Sequence, residues 1–293
     1  MFDGIMTARG ACLAEYTTLH LGGPADVMAF PRNADEIARL YAEARDAGMN
    51  VTVIGHGSNL LVKDGGIRGL TVCIGRNMAE VRTEGNLIRA GAGCMLAKAA
   101  AAAAENSLTG LEFASGIPGT VGGGVYMNAG AYGGELAQVV REVHAVSPDG
   151  QSLCFAGGEM RFGYRQSRAM TEPMIITEVT FCLNKGNRDE ILASMADLNS
   201  RRAEKQPLNM HSAGSTFKRP QGYFAGALIE QCGLKGYRIG GASVSEKHAG
   251  FLVNDGGTAA DFLALIQYVS DTVMEKTGVR LEPEVRILGE DRC

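Results

Sequence analysis

Apolar residues first recur at the three-and-four spacing of one helical face at Ile37, Leu40, Tyr41 and Ala44. Asn33 and Glu36 stand before them with the spacing of an N-terminal capping box. Gly48 follows the last apolar residue and supplies a C-terminal stop. The pattern therefore predicts a helix that begins after Asn33 and ends before Gly48.

Four later helices are predicted over 95–106, 187–203, 226–232 and 258–278. The first of these is rich in alanine, and Asn187 with Glu190 repeats the capping spacing at the start of the second. Thr258 caps the last of them. Its inward face is expected to hold Phe262, Leu265, Ile266 and Val269.

Strands are predicted over 51–54, 79–92, 139–155 and 174–183, where the second and third segments are hairpins that turn at 84–86 and 148–150. A last strand is expected to place Leu281, Pro283, Val285 and Ile287 on one face, and Glu282, Glu284 and Arg286 on the other. Mixed hairpins and helices predict an α+β fold and not a regular βαβ array. A short polar turn at 185–187 predicts a boundary between two domains, 1–186 and 187–293.

Length and charge narrow the class of protein. The chain has 293 residues, which suggests about two domains at roughly 150 residues each. Its formal net charge of −4 argues against a general nucleic-acid binder. Residues 160–250 nevertheless hold 13 Lys and Arg against 8 Asp and Glu. This positive segment suits a small anionic ligand, although scattered solvated cations would give the same count.

The seven cysteines predict neither a metal site nor a disulfide framework. Their number is odd, no two lie close together, and the chain has no CxxC motif. Reduced thiols in a cytoplasmic protein fit this spacing best. The N-terminus shows no signal peptide, and the longest apolar tract, 99–104, is far shorter than the ~20 residues of a membrane span. No membrane partner is expected.

Glycine, at 40 residues, is unusually abundant and falls into clusters. The first cluster, Gly55-His-Gly-Ser-Asn-Leu-Leu61, follows a predicted strand. It fails the dinucleotide fingerprint because Leu60 stands where the third glycine belongs. A strand-end turn can still bind an anion as a backbone nest. The alternative is an ordinary turn.

The second cluster runs from Gly116 to Gly130, and its glycines would cost roughly 0.5–1 kcal/mol each inside a helix or strand. We therefore expect backbone that closely approaches a flat or charged ligand. The alternative is a glycine-rich surface loop.

Further short motifs follow in a fixed order. Together with the glycine clusters they read GxGSNLLV, GIPGTVGG, MNAGAYG, YRxS, SAGSTFK, HAxFxVN and LEPEVR. In this order and spacing they resemble the UDP-N-acetylenolpyruvoylglucosamine reductase family over nearly the whole chain. The resemblance implies a two-lobed FAD-binding domain of the vanillyl-alcohol-oxidase type, followed by a smaller α+β substrate-binding domain. It leaves open that the last strand packs back near the flavin.

The resemblance also implies an activity and its residues. The family reduces the enolpyruvyl ether of UDP-N-acetylglucosamine to UDP-N-acetylmuramate in the cytoplasm, using NADPH through noncovalent FAD. Ser215 is implied as the proton donor, Arg165 as the group that neutralises the substrate carboxylate, and Glu284 as a hydrogen-bonding or proton-relay group. The implied FAD-binding residues are Gly55, Gly57, Ser58, Asn59, Leu60, Gly116, Ile117, Pro118, Gly119, Thr120, Gly122, Gly123, Asn128, Ala129 and Gly130. The implied substrate-binding residues are Tyr164, Arg201, Lys205, Lys218 and Asn254.

Two other functions stay open at this point. One is an oxidase of the same fold that uses oxygen, in which His56 could tether the flavin. The other is a non-catalytic binder of an anionic sugar nucleotide. Serine, arginine and glutamate at these positions favour the reductase, because an oxidase has no enol to protonate. A monomer without nucleic-acid partners is expected.

Overall fold

The computed structural model describes residues 2–292. Its helices are α1 (Ala34–Asp46), α2 (Leu96–Glu105), α3 (Val121–Met127), α4 (Arg188–Lys205), α5 (Ala225–Gln231) and α6 (Ala259–Thr277). Its strands are β1 (Thr7–Cys12), β2 (Pro24–Ala29), β3 (Val51–Ile54), β4 (Leu60–Val62), β5 (Ile67–Cys73), β6 (Val81–Glu84), β7 (Leu87–Gly91), β8 (Leu108–Thr109), β9 (Gly130–Ala131), β10 (Gly134–Glu135), β11 (Val140–Val146), β12 (Ser152–Ala156), β13 (Ile175–Cys182), β14 (Asn184–Lys185), β15 (His211–Ser212), β16 (Arg238–Ile239), β17 (Ala242–Val244), β18 (Leu252–Asn254) and β19 (Arg286–Leu288). Within the described residues, no helix is both long and apolar enough to cross a membrane.

The chain divides into two compact units built from interleaved segments. Among the described residues, unit 1 consists of those up to 8, 27–56 and 69–202, and unit 2 of 9–26, 57–68 and those from 203 onward. Most of α4 therefore groups with unit 1, whereas the sequence predicts that this helix begins the second domain. The boundary near residue 186 between the two predicted domains stays a prediction.

The main sheet of unit 1 is antiparallel, with five strands in the order β12-β11-β13-β7-β6. The two hairpins predicted from the sequence are confirmed as β6-β7 and β11-β12. A second sheet has the strand order β1-β2-β5-β3. Unit 1 contains the whole of β3 and parts of β1, β2 and β5. One hydrophobic core serves the unit, with fully buried side chains such as Phe181, Ile88 and Leu96.

The predicted first helix is confirmed as α1, and its N-terminus is capped as the sequence suggests. The side chain of Asn33 accepts a hydrogen bond of 2.9 Å from the amide of Glu36. The carboxylate of Glu36, however, does not return to the Asn33 backbone and instead accepts from the amide and guanidinium of Arg32. That guanidinium lowers the pKa of Glu36. The apolar face Ile37, Leu40, Tyr41 and Ala44 is buried, as predicted.

Unit 2 is built around α6 and an antiparallel sheet in the order β15-β18-β17-β16. Thr258 and Asp261 form a reciprocal capping box at the start of α6, and Gly278 ends it with a φ of 71°. The four predicted inward residues of α6 are buried in the core of this unit. A separate parallel pair joins β19 to β4.

The predicted last strand is only partly correct. The strand spans Arg286–Leu288, and the segment before it bends at Val285. The bend arises because the amides of Glu284 and Val285 both donate to the carbonyl of Thr216, at 2.8 and 3.4 Å. The alternation therefore does not extend through the segment: Leu281 and Val285 are buried, whereas Ile287, predicted on the same face, is 40% exposed.

Candidate functional site

The two glycine clusters meet in unit 1. Gly55 directly follows β3, and a Cβ at this position would lie 2.5 Å from Oγ1 of Thr120. Thr120 cannot easily turn away, because this hydroxyl caps α3 by accepting from the amide of Gly123 at 3.3 Å. Glycine at 55 is therefore required by the close approach of the second cluster. His56, the next residue, is exposed.

The second glycine cluster contains the helix α3, although a glycine inside a helix costs roughly 0.5–1 kcal/mol. Gly122 and Gly124 both lie in α3. A Cβ at Gly122 would lie 2.9 Å from Cβ of Ala92, and one at Gly124 would lie 2.9 Å from Cδ1 of Leu96. These glycines allow α3 to pack closely against its neighbours, which offsets their cost in a helix.

The backbone amides at the start of α3 are already used within the protein. Val121 donates to Cys94 at 2.7 Å, Gly122 donates to Ala92 at 2.8 Å, and Gly123 donates to Thr120. The carbonyl of Gly119 accepts from Leu96 at 2.9 Å. The start of α3 is therefore not a helix N-terminus that offers amides to an anion.

The turn before α3 contains a polar side-chain atom that can still form a hydrogen bond. Oγ of Ser115 is buried and has no hydrogen-bond partner among residues 2–292. A Cβ at the adjacent Gly116 would clash with the side chain of Asn199 and lie 3.0 Å from Nε of Arg202. Ile117 is half-buried in this turn, whereas Pro118 is exposed. A free hydroxyl and a guanidinium beside a glycine turn are suitable partners for an anionic group of a ligand.

No motif in the sequence points to Arg202 as a site residue. Burial lowers the pKa of its guanidinium, and the neighbouring Tyr132 opposes that shift, chiefly through its charge. Its position at Gly116 joins α4 to the second glycine cluster within unit 1. The only available signal is its place in the Arg201-Arg202 pair, and nothing in the sequence distinguishes the half-buried arginine from the exposed one.

Arg165 lies at the third position of a turn formed by residues 163–166. The backbones of Gly163 and Gln166 exchange hydrogen bonds of 3.1 and 3.2 Å across the turn. Arg165 has a φ of 53°, a left-handed conformation that costs a non-glycine residue of order 1 kcal/mol. Such strain is typical of functional sites. The guanidinium faces the ring of Tyr164 at 5.3 Å and the carbonyl of Gly130 at 3.5 Å.

Side chains around the turn hold it in place. Asn128 is buried, donates to the carbonyl of Gly163 at 3.0 Å and accepts from the amide of Ala137 at 2.9 Å. Ser167 donates to the carbonyl of Tyr126 at 2.7 Å. The end of the second glycine cluster, including Ala129 after Asn128, therefore lies next to the turn that carries Arg165. Asn128 positions this turn in the structure.

The remaining part of the first glycine loop belongs to unit 2. Gly57 has a φ of 66°, and a Cβ there would clash with the carbonyl of Tyr16. Ser58 is half-buried, and Leu60 begins β4 opposite Arg286. Asn59 donates to the carbonyl of Glu284 at 3.2 Å. This loop is therefore tied to the segment that carries Glu284.

Ser215 lies in the same part of unit 2. Its hydroxyl donates to the carbonyl of Phe217 at 3.3 Å, which is a weak hydrogen bond. The carbonyl of Thr216, the next residue, accepts from the amide of Glu284 at 2.8 Å. Two of the three predicted catalytic residues, Ser215 and Glu284, are thus brought into neighbouring backbone segments.

Lys218 extends this group of residues. Its amide donates to the carbonyl of Glu282 at 2.8 Å, and its Nζ lies 3.3 Å from the same residue's carboxylate. The lysine is 45% exposed, so this ion pair is weak and can exchange for a ligand anion.

The other predicted substrate residues occupy different environments. Tyr164 is 56% exposed in unit 1. Arg201 pairs with Asp197 at 2.7 Å on exposed α4, and Lys205 is exposed at the end of that helix. Asn254 is buried, donates to the carbonyl of Leu19 and accepts from the amide of Gly257, each at 2.9 Å. Its side chain is therefore engaged in the structure of unit 2.

His248 is a packed residue in this structure. Its Nδ1 accepts from the amide of Gly250 at 3.1 Å, and its ring meets that of Phe251 edge to face. Burial lowers the pKa of His248 and so favours the neutral ring that accepts this hydrogen bond.

Comparisons with known proteins match both parts of the chain. A family model described as the C-terminal domain of UDP-N-acetylenolpyruvoylglucosamine reductase matches residues 206–288, and one described as an FAD binding domain matches residues 25–154. The chain is 49% identical over 291 residues to the UDP-N-acetylenolpyruvoylglucosamine reductase of Lactiplantibacillus plantarum, covering 99% of this chain and 96% of the relative. It is 51% identical over 278 residues to the reductase of Limosilactobacillus fermentum, covering 94% and 92%.

A solved structure agrees with the sequence relatives. The crystal structure of UDP-N-acetylenolpyruvylglucosamine reductase from Thermus caldophilus aligns with a TM-score of 0.85 at 35% identity. The alignment covers 97% of this chain and all 100% of that one. The predicted α+β class and FAD-binding domain are confirmed.

Proposed function

Because the chain belongs to the UDP-N-acetylenolpyruvoylglucosamine reductase family, we propose that it reduces UDP-N-acetylglucosamine enolpyruvate to UDP-N-acetylmuramate for peptidoglycan synthesis. The observation that carries this proposal is a likeness that extends over 99% of the chain. FAD bound to this domain and reduced by NADPH would supply hydride chemistry to the enol ether. The substrate is a small molecule, and we place the reaction in the cytoplasm.

Both glycine clusters are proposed to hold the FAD. The predicted residues that belong to unit 1 are Gly55, Gly116, Ile117, Pro118, Gly119, Thr120, Gly122, Gly123, Asn128, Ala129 and Gly130, and those that belong to unit 2 are Gly57, Ser58, Asn59 and Leu60. The unpartnered hydroxyl of Ser115 and the guanidinium of Arg202 support this proposal, since both lie at the Gly116 turn. We add these two side chains as FAD contacts.

Arg165 is proposed to neutralise the substrate carboxylate. Hydride addition at the β-carbon leaves an enolate, so negative charge grows on the carboxyl oxygens. A guanidinium stabilises that charge with two parallel hydrogen bonds. The turn that holds Arg165 in a left-handed conformation supports this role, because it fixes the backbone from which the arginine side chain extends.

Ser215 is proposed to give a proton to the α-carbon, and Glu284 to assist it. The hydroxyl of Ser215 donates to the carbonyl of Phe217 at 3.3 Å. This weak hydrogen bond is readily exchanged for a contact with substrate. Glu284 is proposed to hydrogen-bond the intermediate or relay the proton, and Lys218 to bind the substrate together with Tyr164, Arg201 and Lys205. Asn254 is the least supported of these, because its amide is already engaged.

We expect acid or heat denaturation to release all of the FAD into the supernatant. The proposed site binds the flavin only through backbone and noncovalent side-chain contacts. Flavin fluorescence of the supernatant and of the washed precipitate measures the two fractions. Flavin that stays on the polypeptide, and disappears from it in His56→Ala, would contradict this account and favour the oxidase. Purified protein that carries no flavin would favour the non-catalytic binder.

A further inference from the structure

Three metal-ligating side chains meet on the polar face of the five-stranded sheet in unit 1. Glu142 and His144 lie two residues apart on β11, so both point to the same side. Cys154 on β12 stands directly opposite His144 in the antiparallel register. One ligand atom from each residue lies within 4.8 Å of the other two. The sheet thus brings together a carboxylate, an imidazole and a thiol.

The trio is accessible and lies in a negative environment. Nε2 of His144 is 2.7 Å from Oε1 of Glu142, and each of these side chains is 38% exposed. Cys154 is exposed as well. Desolvation raises the pKa of the Cys154 thiol, and the carboxylates of Glu142 and Glu159 raise it further. The same carboxylates would attract a cation to this point.

We propose that Glu142, His144 and Cys154 bind one zinc ion. Sulfur, nitrogen and oxygen donors together are the ligand set of zinc, whereas magnesium and calcium require oxygen alone. Three protein ligands leave a fourth tetrahedral position for water, as the exposure of the trio permits. The ion would link β11 to β12.

The geometry requires only small adjustments. Metal–ligand distances of about 2.0–2.3 Å place tetrahedral ligand atoms about 3.3–3.8 Å apart. The observed separations run from 2.7 Å to at most 4.8 Å, so ligand atoms move by about 1 Å. The backbone is held on both sides of β11 by its pairing with β12 and β13. Side-chain rotation therefore suffices.

The cysteine spacing predicts no metal site, and strand register explains how one can arise nevertheless. Closely spaced cysteines signal a site only when neighbouring residues supply the ligands. Here a hairpin supplies them, with Cys154 on one strand and Glu142 and His144 on the other.

The test titrates zinc into the full-length, FAD-loaded protein after treatment with a chelator. We expect one ion per chain, and we expect cobalt at the same site to show a sulfur-to-metal charge-transfer band. Cys154→Ser should abolish that band. Cys154→Ser and His144→Ala should each weaken zinc binding by roughly 100-fold or more, since even partners outside the ligand shell cost about 10–100-fold.

Cys182→Ser is the matched control, because Cys182 is an exposed cysteine on β13 of the same sheet. It should keep the wild-type zinc affinity and the cobalt band. Equal FAD content and melting temperature of all metal-free proteins exclude misfolding as the cause of lost binding. Saturable zinc binding that persists at full strength in Cys154→Ser, or its absence from the wild type, would overturn the proposal.

Discussion

Replacing Ser215 with alanine is expected to slow the oxidation of reduced enzyme by the enolpyruvyl substrate by about 10²- to 10⁴-fold. The product needs a proton on carbon, and this step loses its donor. Reduction of the flavin by NADPH should continue at nearly the wild-type rate, because that step needs no carbon protonation. Stopped-flow measurement of each half-reaction separates the two effects.

Two further variants sharpen this experiment. Ser215→Cys should recover part of the rate, because a thiol also gives a proton. Ser212→Ala is the matched control, since Ser212 lies three residues earlier on β15 and is likewise half-buried. It should leave both half-reactions unchanged. If Ser215→Ala leaves the substrate step at the wild-type rate, another residue is the acid, and Glu284 becomes the first candidate.

Replacing Arg165 with lysine is expected to slow the same substrate step by about 10²-fold, with FAD binding nearly unchanged. Lysine keeps the charge and loses the planar fork that pairs with a carboxylate. The loss of one preorganised donor to a developing anion typically costs about 10²- to 10³-fold. Stopped-flow reoxidation gives the rate, and flavin fluorescence during dilution gives the FAD affinity.

Arg161→Lys provides the control for backbone and charge. Arg161 has a left-handed φ of 48°, close to the 53° of Arg165, and is paired with Glu172 at 3.0 Å. Its replacement should leave the substrate step unchanged. Equal losses of FAD binding and activity in Arg165→Lys would show that Arg165 supports the fold and does not act on substrate.

Local signals in the sequence predicted the helices and hairpins well. The caps of α1 and α6 depend on residues within four positions of each other, and the two hairpins depend on turns of a few residues. Such features are fixed by neighbouring chemistry, which a sequence displays directly. The segments that carry Arg165, Ser215 and Glu284 were found through the order of the motifs and not through local chemistry.

Features that depend on distant contacts were not predictable. The backbone bends at Val285 because two amides of this segment donate hydrogen bonds to the carbonyl of Thr216, which lies far away in the sequence. The helix α3 tolerates its glycines because Ala92 and Leu96 press against it. Arg202 could not be recognised as a proposed FAD contact, because only the folded chain brings it close to Gly116. The local composition of the chain likewise does not reveal which segments belong to which unit.

The most direct test of the proposed function is an anaerobic experiment on the wild-type protein. NADPH is added until the flavin is bleached, and UDP-N-acetylglucosamine enolpyruvate is then added alone. We expect rapid return of the oxidised flavin spectrum and formation of UDP-N-acetylmuramate in an amount equal to the flavin. A flavin that stays bleached until oxygen is admitted would contradict the proposed function and identify an oxidase.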